Sequence, residues 1–144
     1  MRFWDSSAVV PLVLVETAAA WARATLEVDQ AMSVWWATEV ECVSAIARLE
    51  RGGELSPQAA LEALQQLEDL TGEWHEVQPT QSIRVTARRL LRVHNLRAAD
   101  SLQLAAAIVA AGGYTASLEF VTLDDRLVDA ARREGFQVLR FAGQ

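Results

Sequence analysis

The chain has 144 residues, 51% hydrophobic and 22% charged, with 19 acidic side chains against 13 basic ones. That is one ordinary domain's worth of chain with enough apolar material for a single core, which excludes a disordered tail, a collagen-like fibre and a disulfide-stapled miniprotein. The formal net charge is -6 and every basic residue is Arg, so a nucleic-acid partner has to be explained against the sign of the charge.

In chain order, Phe3 and Trp4 predict a brief first strand. The apolar stretch Ala8 to Val15 is broken by Pro11, is too short to cross a bilayer and lacks the pattern of a secretory signal. Helical periodicity follows over 17–28, then a strand over Ser33–Trp36 and helices over 39–51 and 57–71. A third strand spans Trp74–Val77, with helices over 81–95 and 101–111. Phe120 and Val121 predict a fourth strand, 125–134 a helix and Gln137–Phe141 a fifth strand. Gly52-Gly53, Gly72, Gly112-Gly113 and Gly135 stand where these helices should stop, as residues able to turn left-handed. Short apolar runs alternating with helices predict an α/β fold with a mainly parallel sheet, one domain over 1–144. Cys42, the only cysteine, excludes an internal disulfide and a thiolate zinc site. It shares an apolar stripe with Ile46 and Leu49, as a buried structural thiol in a reducing cytoplasm would.

Charge is segregated along the chain. Between Glu39 and Glu76 there are nine acids and two Arg, whereas Ser82 to Ala99 holds five Arg, one His and no acid. Arg84, Arg88 and Arg92 recur every four residues and share a helix face. Read as structure, this is a solvated face; read as function, it meets RNA phosphates or an acidic partner, with Arg97 just beyond it. Leu61, Leu64, Leu67 and Leu70, with Ala60 and Ala63, form a stripe that reads first as core and second as an interface.

A few carboxylates stand apart because each follows a predicted strand. Asp5 follows the first, Glu39 and Glu41 the second, and Asp124 and Asp125 the fourth; Asp100 heads an almost wholly apolar helix. In a parallel α/β sheet the carboxyl ends of the strands share one edge, where ligands bind at the reversal of strand order. Helix capping explains each acid singly, with Thr38 and Glu41, Asp100 and Gln103, and Thr122 and Asp125 as capping-box pairs. Capping does not explain four sites converging on one edge with no Lys between them. Clustered carboxylates repel one another unless a cation neutralises them, and an all-oxygen set suits Mg²⁺, with Mn²⁺ substituting. Such a site can activate water and polarise a phosphoryl oxygen, and with no nucleophilic Ser, Cys or Lys beside it the cluster fits phosphodiester hydrolysis better than acyl transfer. The absence of Gly-x-Gly-x-x-Gly and P-loop motifs removes the common nucleotide-binding modes.

These residues resemble the PIN-domain ribonucleases, and within them the VapC-type toxins of toxin-antitoxin pairs. The likeness rests on Leu96-Arg97-Ala98-Ala99-Asp100-Ser101-Leu102-Gln103-Leu104 and on Phe120-Val121-Thr122-Leu123-Asp124-Asp125-Arg126-Leu127, with the opening Asp5-Ser6-Ser7 as a third, shorter match. The resemblance implies a three-layer α/β/α fold around about five strands, and a Mg²⁺-dependent endoribonuclease with an antitoxin partner and a homodimeric, cytoplasmic state. It also implies Asp5, Glu41, Asp100 and Asp124 as metal-binding catalytic acids, Ser7 and Thr122 as supporting hydroxyls, and Asp125 as a helix cap. The second acid is divided: Glu41 fits the family spacing to Ala45 and Arg48, while a helical wheel puts Glu39 nearer the apolar face of Cys42, Ile46 and Leu49. Two other readings compete, a catalytically silent module that keeps the fold to bind a partner and a housekeeping PIN nuclease.

Overall fold

Five short strands form one all-parallel sheet in the order β3-β2-β1-β4-β5 in the computed structural model, which describes residues 1–143. The elements are β1 (Arg2–Trp4), α1 (Ser6–Val13), α2 (Ala19–Val28), β2 (Met32–Trp35), α3 (Thr38–Arg51), α4 (Pro57–Thr71) and β3 (His75–Val77). They continue with α5 (Gln81–Val93), α6 (Ala98–Ala110), a 3-10 turn (Thr115–Ser117), β4 (Glu119–Val121), α7 (Asp125–Arg133) and β5 (Gln137–Leu139). The central strand β1 pairs with both β2 and β4, setting Phe3 opposite Ser33 and Phe120.

Alternation along the strands sends neighbouring side chains to opposite faces, so each strand supplies two cores. Phe3, Trp35 and Phe120 pack with Ile83 and Leu90 of α5, Leu104 to Ala107 of α6, and Leu127 and Ala131 of α7. Trp4, Val34 and Val121 face the other way, against Ala8 and Val9 of α1, Ala22 of α2, Cys42 and Ile46 of α3, and Ala60, Ala63 and Leu67 of α4. The result is three layers, helices on both faces of the sheet. The chain lays down β1, β2 and β3 with α1 to α4 on one face, then returns to β4 and β5 with α5 to α7 on the other. The reversal falls between β1 and β4, and their carboxyl ends flank the crevice where such folds bind ligands.

One α-helix is new relative to the sequence expectations, as is the short 3-10 turn. The stretch containing Pro11 is a helix, α1, with Asp5 as its extended N-cap. Pro11 removes a donor and the valines have modest helix propensity; burial of Ala8, Val9, Pro11 and Val13 overrides both. Fewer helix stops need a left-handed residue than expected: Gly52 and Gly72 have φ of -79° and -73°. At Gly135 φ is +97°, and a Cβ there would lie 2.5 Å from Thr115 Oγ1. The leucine stripe of α4 divides, Leu67 buried in the core and Leu61 61% exposed. No helix among the described residues is long and apolar enough to cross a membrane.

Candidate active site

At the mouth of the crevice, Asp5 directly follows β1 and caps α1, which fixes the carboxylate. Asp5 is 3% exposed. Its Oδ2 accepts hydrogen bonds from the Ser7 backbone N–H at 3.3 Å, from Ser7 Oγ, and from Thr122 Oγ1 at 2.9 Å. The same hydroxyls tie in the loop after β4: Ser7 Oγ accepts from Leu123 N–H at 2.9 Å and Thr122 Oγ1 accepts from Asp124 N–H at 3.0 Å. Ser7 and Thr122 thus lock the β1–α1 and β4–α7 turns together around one carboxylate oxygen. Burial raises the Asp5 pKa to about 6, against the opposing hydrogen bonds of Ser7 and Thr122, and the charge of Asp124 adds to the rise.

Three further acids come to the crevice from other segments. On α3, Glu41 is half-buried and Glu39 is exposed; Glu41 Oε1 accepts from Gln103 Nε2 of α6 at 2.5 Å. Gln103 is 1% exposed and donates also to Thr38 Oγ1 at 3.0 Å, leaving its own Oε1 buried without a partner. Burial raises the Glu41 pKa, hydrogen bonds from Gln103 and Ser6 oppose the rise, and the charges of Asp5 and Asp100 reinforce it. Asp100 is also raised, first by burial and then by Asp124, while the Arg97 backbone N–H and the charges of Arg126 and Arg97 act in the other direction. Electrostatic coupling therefore links Asp5, Glu41, Asp100 and Asp124 into one set.

The expected caps are rearranged. Thr38 is the first residue of α3 and bonds Gln103 instead of pairing with Glu41. Asp100 sits at the third position of α6 and accepts from Arg97 N–H at 3.2 Å, so Gln103 is not its box partner. Asp124, not Asp125, caps α7, accepting from Arg126 N–H at 2.8 Å; Asp125 meets Arg140 at 3.1 Å. Asp124 stands extended before the helix and reaches the N–H two residues on, so the cap falls two residues later than the Thr122-x-x-Asp125 pattern suggests.

The donor set fits a divalent cation in kind: four carboxylates, no soft ligand, and mutual repulsion that a cation would relieve. Among the described residues no three His, Cys, Asp or Glu side chains are grouped closely enough to hold a metal ion as they stand. Arg84, Arg88 and Arg92 lie exposed on α5, and Arg97 is exposed beside Asp100. Gln103 and Arg126 were not among the expected site residues. The signal for Gln103 was an amide inside the otherwise apolar run Leu102 to Ala107; that for Arg126 was its place two residues after Asp124.

The PIN domain matches residues 2–133. Solved structures of the same fold include FitAB bound to the IR36 DNA fragment, 15% identical over 97% of this chain and 94% of that one with a TM-score of 0.67. FitAcB from Neisseria gonorrhoeae is 16% identical over 96% of each chain, with a TM-score of 0.65. No match is found among curated protein sequences. The sheet order, the crevice and the span of the match agree: this chain belongs to the PIN-domain family.

Proposed function

We propose that the protein is a Mg²⁺-dependent endoribonuclease, with Mn²⁺ able to substitute, acting as a VapC-type toxin. The observation that carries this reading is the convergence of Asp5, Glu41, Asp100 and Asp124, from four separate segments, on the crevice between β1 and β4. These four would hold the metal ion. When bound, the ion supplies activation of a water and charge neutralisation at the phosphoryl oxygens. Asp5, locked by Ser7 and Thr122, keeps one orientation; Glu41 is steered by Gln103; Arg97 and Arg126 temper the negative charge around Asp100.

The fold likeness to FitAB and FitAcB, together with the VapC-type motifs, supports an antitoxin partner. Exposed Trp36, Val40, Val43 and Leu61 supply apolar surface for it or for a second copy of the chain, as a cytoplasmic homodimer requires. Purified protein should cleave single-stranded RNA in Mg²⁺, cease to do so on addition of EDTA, and arrest growth when expressed without its antitoxin; RNA left intact in Mg²⁺ and Mn²⁺ overturns the reading. The openness of the acid set favours a second reading, a silent partner-binding module. Tight partner binding with no uptake of Mn²⁺ would mark that case.

A further inference from the structure

We infer that the RNA strand crosses the site along the cleft between α1 and α3, with Arg48 gripping a phosphate beyond the carboxylates. This rests on the ribonuclease reading and assigns its substrate path. The cleft, about 520 Å³, is lined by Ser6, Ser7, Val10, Glu41, Ser44 and Arg48 among others. It opens from the acid cluster, since Ser7 bonds Asp5 and Glu41 is itself one of the acids. Arg48 follows Glu41 by two helical turns, which at 1.5 Å per residue puts it about 10 Å farther along α3. Between them Ser44 presents a hydroxyl on the same helix face.

From the elements on the other face of the sheet, the Arg97 N–H bonds Asp100 and the Arg126 N–H bonds Asp124, so both Arg side chains start beside these carboxylates. None of Arg48, Arg97 and Arg126 takes part in an ion pair among the described residues. Free guanidinium groups therefore flank the carboxylates on two sides, the distribution a polyanion needs if one phosphate sits at the acids and its neighbours must not be repelled. An acidic peptide fits the path less well, because it would set carboxylates against Glu41 without placing a phosphodiester anywhere. The groove on α5, lined by Val85, Arg88, Arg89, Leu91 and Arg92, contains no acid, and α5 packs on the opposite face of the sheet from α1 and α3.

Steady-state cleavage of a fluorogenic single-stranded RNA in Mn²⁺, repeated over a range of salt, tests the path. Arg48→Ala should raise KM about tenfold with kcat within about twofold, and lessen the log–log salt slope by about 0.7, the value of one single-strand phosphate contact. Ser44→Trp, which fills the cleft, should raise KM as well, while Arg133→Ala, at the exposed far end of α7, leaves both constants unchanged. A wild-type protein that does not cleave overturns the ribonuclease reading and the track with it. Cleavage by wild type with Arg48→Ala indistinguishable from it, or with Arg133→Ala equally impaired, overturns the track alone.

Discussion

The two sides of the crevice hold their carboxylates by different means. On the strand side, Asp5 is buried, receives three hydrogen bonds on one oxygen, and is welded to the β4–α7 turn through Ser7 and Thr122. On the helix side, Glu41 and Asp100 are half-exposed on α3 and α6 and are steered by one amide each, the Gln103 side chain and the Arg97 backbone. The strand side resembles a preorganised anchor whose charge costs stability; the helix side keeps its oxygens partly open to solvent, where a bound ion would exchange its ligands. Substitutions on the two sides should therefore separate folding from chemistry.

The largest expected effect is on the helix side. Asp100→Asn should lower RNA cleavage at least about 100-fold, because losing a metal ligand should cost no less than losing a residue that merely supports one. Its metal-free melting temperature should stay equal to wild type or rise, since a charge repelled by Asp124 is removed; a large fall in melting temperature would show that Asp100 is structural. Gln103→Leu comes next. It leaves Glu41 and Thr38 without their shared donor, so Mn²⁺ affinity by calorimetry should fall about 10- to 100-fold, with restoration by a Gln103→Asn variant only if the shorter amide still reaches Glu41.

The strand side should answer in stability against pH. Asp5 is raised from 3.8 to about 6 in the folded protein, so folding binds a proton there. The penalty for ionising it is absent below the unfolded value, grows as pH rises from about 4 to 6, and is complete above that. In EDTA, wild type should lose on the order of 2 kcal/mol across this window relative to Asp5→Asn, whose side chain keeps an acceptor but no charge. Parallel urea melts of the two proteins check this, and identical pH profiles would contradict the buried-charge account. The smallest effect concerns Cys42, directly behind Glu41. Burial and the charges of Glu41, Asp5 and Glu39 push its thiol up to about 12. A thiol reagent at neutral pH should label it only after unfolding.

The same contrast governs what was legible in the sequence. Strands β1 to β5 could be read from short apolar runs, and the strand-end acids followed, because position after a strand is a local property. The cap geometry of Asp100 and Asp124 was misread by one to three residues, since the same residue types serve several cap positions. The division between Glu39 and Glu41 has a physical cause elsewhere. A wheel of α3 sees one apolar face, Cys42 and Ile46 against the sheet, but α3 also packs against α1. Because α1 was hidden by Pro11 and its valines, the wall that receives Glu41 could not be inferred, and Glu39, set nearer the apolar face on the wheel, is exposed. Gln103 escaped for a similar reason: its partners, Thr38 and Glu41, are 65 and 62 residues away.

Calorimetric titration of Mn²⁺ into the metal-free protein near neutral pH, wild type beside Asp100→Asn, tests the central claim that the converging carboxylates share a divalent cation. The account predicts saturable uptake by wild type and binding at least about tenfold weaker in the variant; equal uptake by both proteins would contradict it.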